Sequence, residues 1–194
     1  AWQPAEGTGA ASVSSIAVAV GPSRARHLEF VEAAASGDVE KGMTELKEAA
    51  RLAPENPLPS HAIGRLQAER KEYDKALESF AAALKVQPKF IQANIDRGDI
   101  FQLKGDDDKA LDEYRAALKM APKLAPVLVR VGMIHERHKR ATDAQAAYLA
   151  AIQADPQQAI PYNNLAWMAA EQKAKLDEAL VWAKKAVELA PQAV

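Results

Sequence analysis

Apolar and small residues recur along this chain in blocks that repeat about every 34 residues. The block 57–90 predicts a helix, a short turn and a second helix that ends before a proline. Prolines mark the period with a 34-residue step, and a 35-residue step before the last one: Pro54, Pro88, Pro122, Pro156 and Pro191. Since proline cannot continue a helix, each proline sets the turn into the next block. The pattern predicts a helical repeat.

Four further columns of residues keep the same step. A small residue recurs early in the first helix: Gly64, Gly98, Gly132 and Ala166. The second helix has an early alanine: Ala76, Ala110, Ala144 and Ala179. A bulky residue follows it: Leu46, Phe80, Tyr114 and Tyr148. A second alanine comes next: Ala49, Ala83, Ala117, Ala151 and Ala186. Small residues let two helices cross closely, and we expect the bulky residues to fill the space between successive repeats.

These columns resemble those of the tetratricopeptide repeat (TPR) family, whose unit is a 34-residue helix–turn–helix. The resemblance covers all but the first 22 residues. It implies an all-α fold, a right-handed α-solenoid of about five repeats with a non-helical N-terminal arm. We expect an array over 23–194, with repeats 23–56, 57–90, 91–124, 125–158 and 159–193.

Residues 1–22 lack helical periodicity and are rich in glycine, serine and alanine. This composition predicts a flexible linker. The alternative is that Ser12–Val20 forms an extended segment that docks on a sheet edge or in a groove, including one in a second copy of the chain. Because the chain begins without methionine, we expect it to be processed, excised from a longer protein or engineered.

The composition of the chain argues against several classes of function. The chain has no cysteine, which excludes disulfides, thiol catalysis and cysteine metal sites. Its net charge is −1 with both signs interspersed, so we expect no nucleic acid partner. No apolar run reaches the roughly 18–20 residues of a membrane helix, so we expect no membrane insertion.

Two polar clusters have the composition of possible metal sites. Asp106–Asp108 lacks the alternating ligands and closing glutamate of a calcium loop, so we expect it to stabilise a helix start. His135 and His138 are crowded by the neighbouring basic residues, which disfavours a metal site. We therefore predict no metal and no cofactor. No nucleophile–base pair, phosphate loop or paired carboxylate motif is evident, so we expect no enzyme.

The family resemblance implies that the first helices line a concave groove that binds a peptide or a helix. Carrying the groove columns onto this sequence gives the candidate partner-binding residues: His61, Arg65, Ile95, Asp99, Val129, Met133, Arg137, Asn163 and Trp167. We expect Val129, Met133 and Trp167 to accept an apolar anchor, and the arginines Arg65 and Arg137 to pair with acidic groups. The alternative is that some of these residues are ordinary packing between helices.

One sub-function of the family can be compared directly. Chaperone-binding TPR domains hold a C-terminal carboxylate with lysine, asparagine and arginine side chains from three repeats. The corresponding residues here are His61, Arg65, Asp96, Pro126 and Arg130. Only the last arginine fits, and Asp96 would repel a carboxylate, so we predict no recognition of chaperone tails.

The last repeat suggests a second function. Residues 162–167 (YNNLAW) and 176–180 (LDEAL) resemble late repeats of bacterial envelope and exopolysaccharide-associated TPR proteins. This resemblance implies a bacterial periplasm or cell envelope location. We expect the outer face of 176–190, with Leu180, Trp182 and Val187, to be partly exposed and available for self-association.

Together these patterns predict a non-catalytic scaffold that binds a protein or peptide partner in the groove of its first helices. The alternative is an architectural segment of a larger bacterial envelope, secretion or polysaccharide-export assembly. Such a segment would make contacts through its exposed ends, or self-associate through the 176–190 face or the 1–22 arm.

Overall fold

A computed structural model of the chain describes residues 39–171 and 175–190. Within these residues the secondary structure is entirely helical, with no strand. The nine helices of the described part are α1 (Val39–Leu52), α2 (Pro57–Glu69), α3 (Tyr73–Val86), α4 (Ile91–Leu103), α5 (Asp107–Met120), α6 (Ala125–Arg137), α7 (Ala141–Ala154), α8 (Ala159–Glu171) and α9 (Leu176–Leu189). This confirms the predicted all-α fold of helical repeats. The predictions for the 1–22 arm and for the first helix of repeat 23–56 lie outside the described residues.

The turns within the repeats share one backbone feature, a residue with a positive φ. The residue after the C-cap of α2, α4 and α6 has a positive φ, at Lys71 (61°), Gly105 (78°) and Lys139 (57°). In the first and third turns, a residue just beyond closes a hydrogen bond back into the helix, since Glu72 N donates to Gln67 O and Arg140 N to His135 O. This left-handed position ends each first helix and reverses the chain into the second.

Capping explains where two of the helices begin. Asn56 precedes α2 and accepts a hydrogen bond from the backbone of Leu58 at 3.0 Å, and Pro57 occupies the first helical position. Asp106 caps α5 by accepting from the backbone of Lys109 at 3.3 Å. The acidic run 106–108 therefore marks a helix start, and this prediction is confirmed.

The chain divides into two compact units, one up to Gly105 and one from Asp106 onward. In the N-terminal unit, one core cluster joins α1 to α2 and a second joins α3 to α4. The second cluster contains Phe80 and Ile100. A Cβ on Gly64 would lie 2.6 Å from the Phe80 ring, so only glycine permits this crossing of α2 and α3.

The C-terminal unit repeats this packing with a different aromatic residue. A Cβ on Gly132 in α6 would lie 2.5 Å from the ring of Tyr148 in α7. The buried Tyr148 belongs to the cluster that also contains Leu165 and Met168 of α8. Its hydroxyl donates a hydrogen bond to Glu136 at 2.6 Å, an interaction that Phe80 cannot make. Phe80 and Tyr148 thus each pack on the glycine of their own repeat and on the first helix of the next one.

Candidate functional site

The candidate partner-binding residues fall on the first helix of successive repeats. We define the N-terminal face as the candidates on α2 and α4, and the C-terminal face as those on α6 and α8, together with their immediate neighbours on these helices. Because each face lies within one compact unit, each is described by itself.

The N-terminal face is built around a histidine–aspartate pair. His61 Nε2 donates a hydrogen bond to Asp96 Oδ2 at 2.7 Å, and both side chains are largely buried. Gln92 donates to the other carboxylate oxygen of Asp96, also at 2.7 Å. The His61 ring packs against Phe80 and Phe90, with centroid separations of 5.4 and 4.8 Å. The polar groups here are therefore already engaged with one another.

The other candidates on the N-terminal face are half-buried. Arg65, Ile95 and Asp99 each keep part of their surface accessible. Asp96, the residue at the position where a carboxylate clamp would need asparagine, is held by two neighbours. The absence of chaperone-tail recognition stays a prediction.

Two apolar candidates of the C-terminal face, Val129 and Met133, pack toward the hydrophobic core of their unit. Val129 is only 5% exposed and belongs to the cluster of Tyr148 and Leu165. Met133 is partly buried and packs against the same cluster. The Val129 side chain therefore contributes to packing between helices, and Met133 presents only part of its surface. A contact of either residue with a partner stays a prediction.

Arg137 is held by a carboxylate of its own unit. Its Nη1 lies 2.7 and 2.9 Å from the two carboxylate oxygens of Asp107, the first residue of α5. His138 Nε2 donates to the same carboxylate at 2.9 Å. Asp107 is buried, whereas the Arg137 side chain remains about half exposed. The sequence did not indicate this cluster, because its members are 30 residues apart and meet only when α6 packs beside α5.

The most exposed residues of the C-terminal face lie on α8. Trp167 is 65% exposed and Ile160 is 55% exposed. These two residues are seven positions apart and share one helix face with the exposed Asn163. We call these three residues the α8 patch. It combines a large aromatic surface, an aliphatic surface and a side-chain amide.

His135 and Tyr148 are the titratable groups most altered by burial in this unit. Burial lowers the pKa of His135, whose Nδ1 has no hydrogen-bond partner, and nearby Arg140 and Arg115 act in the same direction. Burial also raises the pKa of Tyr148, and its hydrogen bond to Glu136 adds to this effect. Within the described part of the chain, no group of three or more histidine or acidic side chains is arranged to hold a metal ion.

The second helix of the last repeat has an apolar surface of its own. Leu180 and Val187 are about half exposed, as predicted, and so is Leu176. Trp182 instead packs against the Tyr148 cluster, and it lines a small cleft with Leu165 and Met168. Trp182 keeps part of its surface exposed, as predicted, but it lies on a different side of α9 from Leu180 and Val187.

No helix among residues 39–171 and 175–190 is both long and apolar enough to cross a bilayer.

No curated protein matches the chain significantly. Solved structures with a similar fold include MamA 41-end from Desulfovibrio magneticus RS-1, at 22% identity and a TM-score of 0.71, over 98% of this chain and 100% of that one.

Two other solved structures are similar. YrrB, "a TPR protein with an unusual peptide-binding site", shares 17% identity over 94% of each chain with a TM-score of 0.68. TTC0263, a thermophilic TPR protein in Thermus thermophilus, shares 21% identity with a TM-score of 0.58. The alignment with TTC0263 covers 84% of this chain and 89% of that one. At these identities the likeness shows the fold alone.

The family assignment comes from sequence. A family model for the tetratricopeptide repeat matches residues 61–125 and 132–194, which is most of the chain. The same residues carry the glycine–aromatic crossings and the recurring helix pairs. The chain therefore belongs to the tetratricopeptide repeat family, whose stacked helix pairs characteristically form surfaces for binding other proteins.

Proposed function

We propose that this protein is a non-catalytic scaffold that binds an apolar peptide or helix of a partner protein, with the α8 patch as the main anchor. The observation that carries this proposal is the exposure of Trp167. Trp167 shares an exposed helix face with Ile160 and Asn163, and tryptophan is among the residues most enriched at binding hot spots.

The chemistry of the patch defines the kind of partner. Ile160 and Trp167 provide two apolar contacts about two helical turns apart, which suits a partner with apolar side chains at a similar spacing. Asn163 lies between them in sequence and is exposed. Its amide both donates and accepts hydrogen bonds, so it can pair with a partner's backbone.

The N-terminal face is a weaker candidate. To pair with a partner, Asp96 would first have to give up hydrogen bonds to His61 and Gln92. Exchanging one good hydrogen bond for another brings little net free energy. This face therefore supports the scaffold more than it attracts a ligand, although Arg65, Ile95 and Asp99 remain candidate contacts.

Selection from a peptide display library tests the proposal. The wild-type chain, Trp167→Glu and the control Leu149→Glu would each be panned with the same library of random peptides. Leu149 is also an exposed apolar residue, but it lies on the second helix α7. We expect wild type and Leu149→Glu to enrich the same apolar peptides, and Trp167→Glu to lose them.

The selected peptides would then be measured in solution by fluorescence anisotropy. Loss of a hot-spot tryptophan weakens binding by about 2 kcal/mol or more, which is a roughly 30-fold rise in the dissociation constant. Equal enrichment by all three proteins, or loss of peptides with Leu149→Glu alone, would contradict the proposal. Circular dichroism would show that the variants keep their helices.

A second candidate is the architectural role predicted from the last repeat. The observation that favours it is the exposed apolar surface of α9, which is separate from the α8 patch. An envelope or export assembly as its setting stays a prediction.

A further inference from the structure

Helix α9 carries an apolar stripe that faces solvent. Leu176, Leu180, Ala183 and Val187 are spaced by four, three and four residues, which places them on one helix face. The two leucines and the valine are about half exposed, and Leu180 is 54% exposed. A different side of α9 packs against the rest of the unit, since Ala179 and Ala186 are buried there. We call the four residues the α9 stripe.

The equivalent face of the second helix in earlier repeats shows which contacts such a stripe makes. Ala183 and Val187 lie one repeat after Tyr148 and Ile152 of α7. Tyr148 and Ile152 belong to the cluster that contains Met168 of the next helix, α8. In the N-terminal unit, Phe80 of α3 shares a cluster with Ile100 of α4 in the same way. This face of a second helix is therefore the one against which the fold packs a further helix.

We propose that the α9 stripe is a homodimer interface, in which the α9 helices of two copies of this chain pack antiparallel about a two-fold axis. The stripe has its larger residues, Leu176 and Leu180, in its first half and the smaller Ala183 in its second half. Antiparallel packing sets leucine of one copy opposite alanine or valine of the other, so the surfaces interdigitate. Parallel packing would oppose leucine to leucine and leave a gap at alanine.

The charges beside the stripe select the same orientation. Asp177 and Lys184 are exposed, lie seven residues apart on one flank, and make no ion pair within the described residues. If Leu180 lies opposite Ala183 of the second copy, Asp177 comes within about 3 Å along the helix axis of the second copy's Lys184. Symmetry forms this pair twice. In a parallel dimer the two-fold axis would put this flank beside the opposite flank of the second helix, so Asp177 would not meet the second copy's Lys184.

A two-fold interface of this kind closes on itself, so it yields a dimer and no larger array. It does not involve the α8 patch, and it is therefore independent of the proposed peptide binding. The small Ala183 also favours a close approach of the two helices, since its side chain is the smallest in the stripe.

Sedimentation velocity over a range of protein concentrations tests the interface. The wild-type chain is compared with Leu180→Glu and with the control Val181→Glu. Val181 is the next residue and is more exposed, at 66%, but it lies off the stripe. We expect wild type and Val181→Glu to dimerise, and Leu180→Glu to raise the dimer dissociation constant about 100-fold, because it buries two carboxylates at the axis.

Charge exchange tests the orientation. Asp177→Lys and Lys184→Asp each replace two attractive pairs by two repulsive ones, and we expect each to weaken the dimer about ten-fold at low salt. An equimolar mixture of the two variants restores both attractive pairs in the heterodimer. The mixture should therefore dimerise as well as wild type.

Several outcomes would overturn the proposal. A chain that stays monomeric at the highest concentration, or that forms trimers or longer assemblies, would exclude the two-fold dimer. Equal dimerisation of wild type and Leu180→Glu would remove the interface from the stripe. Charge variants that dimerise like wild type at low salt would exclude the antiparallel orientation. Circular dichroism on each variant keeps loss of folding distinct from loss of association.

Discussion

The N-terminal and C-terminal faces place their candidate residues in opposite surroundings. His61 and Trp167 are both candidate residues on first helices, but His61 is buried against Phe80 and paired with Asp96, whereas Trp167 extends into solvent. The difference is set by the neighbours. A polar residue with partners in the adjacent helix becomes part of the scaffold, while an apolar residue without cover becomes a candidate for binding.

The two units also use the same crossing with different chemistry. Phe80 fills the space above Gly64, and Tyr148 fills the space above Gly132 with an added hydroxyl bond to Glu136. In the last repeat, the corresponding positions hold Ala166 and Ala183, so the small and the large member have changed together. The last repeat therefore does not keep the glycine–aromatic contact, and its two alanines fill less space than glycine with phenylalanine or tyrosine.

The largest effect is expected from removing an aromatic side chain. Tyr148→Ala should lower the free energy of unfolding by about 3–5 kcal/mol, because it leaves a cavity between α6, α7 and α8. Tyr148→Phe should lower it by only about 1 kcal/mol, which is the typical net contribution of one hydrogen bond such as that to Glu136. Urea unfolding followed by circular dichroism measures both. The neighbouring exposed residue provides the control, since Leu149→Ala should change stability by less than about 0.5 kcal/mol. An equal cost for Tyr148→Phe and Tyr148→Ala would contradict the packing argument.

An intermediate effect on the free energy of unfolding should distinguish the N-terminal face from the C-terminal face. His61→Ala should destabilise the chain by about 1–3 kcal/mol, because it leaves Asp96 with one partner fewer and removes two ring contacts. Trp167→Ala should leave stability within about 0.5 kcal/mol of wild type while weakening peptide binding. Thermal melts and the anisotropy measurement are made on the same preparations. The comparison fails if Trp167→Ala is the more destabilising of the two.

A smaller effect on stability is expected at the turns within the repeats. Lys71→Gly and Lys139→Gly should each stabilise the chain by about 0.5–1 kcal/mol, because both lysines adopt a positive φ that glycine tolerates better. Gly105→Ala should destabilise it by about 1 kcal/mol for the same reason. Melting temperatures report the direction. Destabilisation by either lysine substitution would show that the lysine side chain outweighs the backbone strain.

The smallest effect concerns pH and His135. Burial lowers the pKa of this imidazole in the folded state, so the unfolded chain binds a proton at higher pH than the folded chain does. Stability is therefore highest above the unfolded pKa of about 6.5 and decreases as the pH falls below it. Phe101 occupies the equivalent position one repeat earlier, which makes His135→Phe a conservative change.

The test is urea unfolding at about pH 7 and about pH 5, on either side of the unfolded pKa. We expect the wild type to lose more stability between these values than His135→Phe does. Equal losses in the two proteins would mean that His135 makes no contribution to the pH dependence.

The helices could be predicted because their signals are local. The prolines at a fixed step and the acidic run that starts at Asp106 each mark a helix boundary within a few residues of themselves. The glycine–aromatic columns were also visible, since the repeat presents the same pair several times over. The candidate binding residues followed from the period, which assigns each position to a column but does not describe its neighbours.

The sequence by itself determined the period, the family and the all-α architecture, because these depend on spacing along one chain. Only the tertiary structure decided that Val129 packs in a core cluster, that Asp107 holds Arg137, and that Trp182 packs against the Tyr148 cluster while Trp167 faces solvent. Each of these outcomes depends on which side chains a neighbouring helix brings within a few ångströms. That arrangement is set by helix crossings, and the sequence pattern of a single repeat does not contain it.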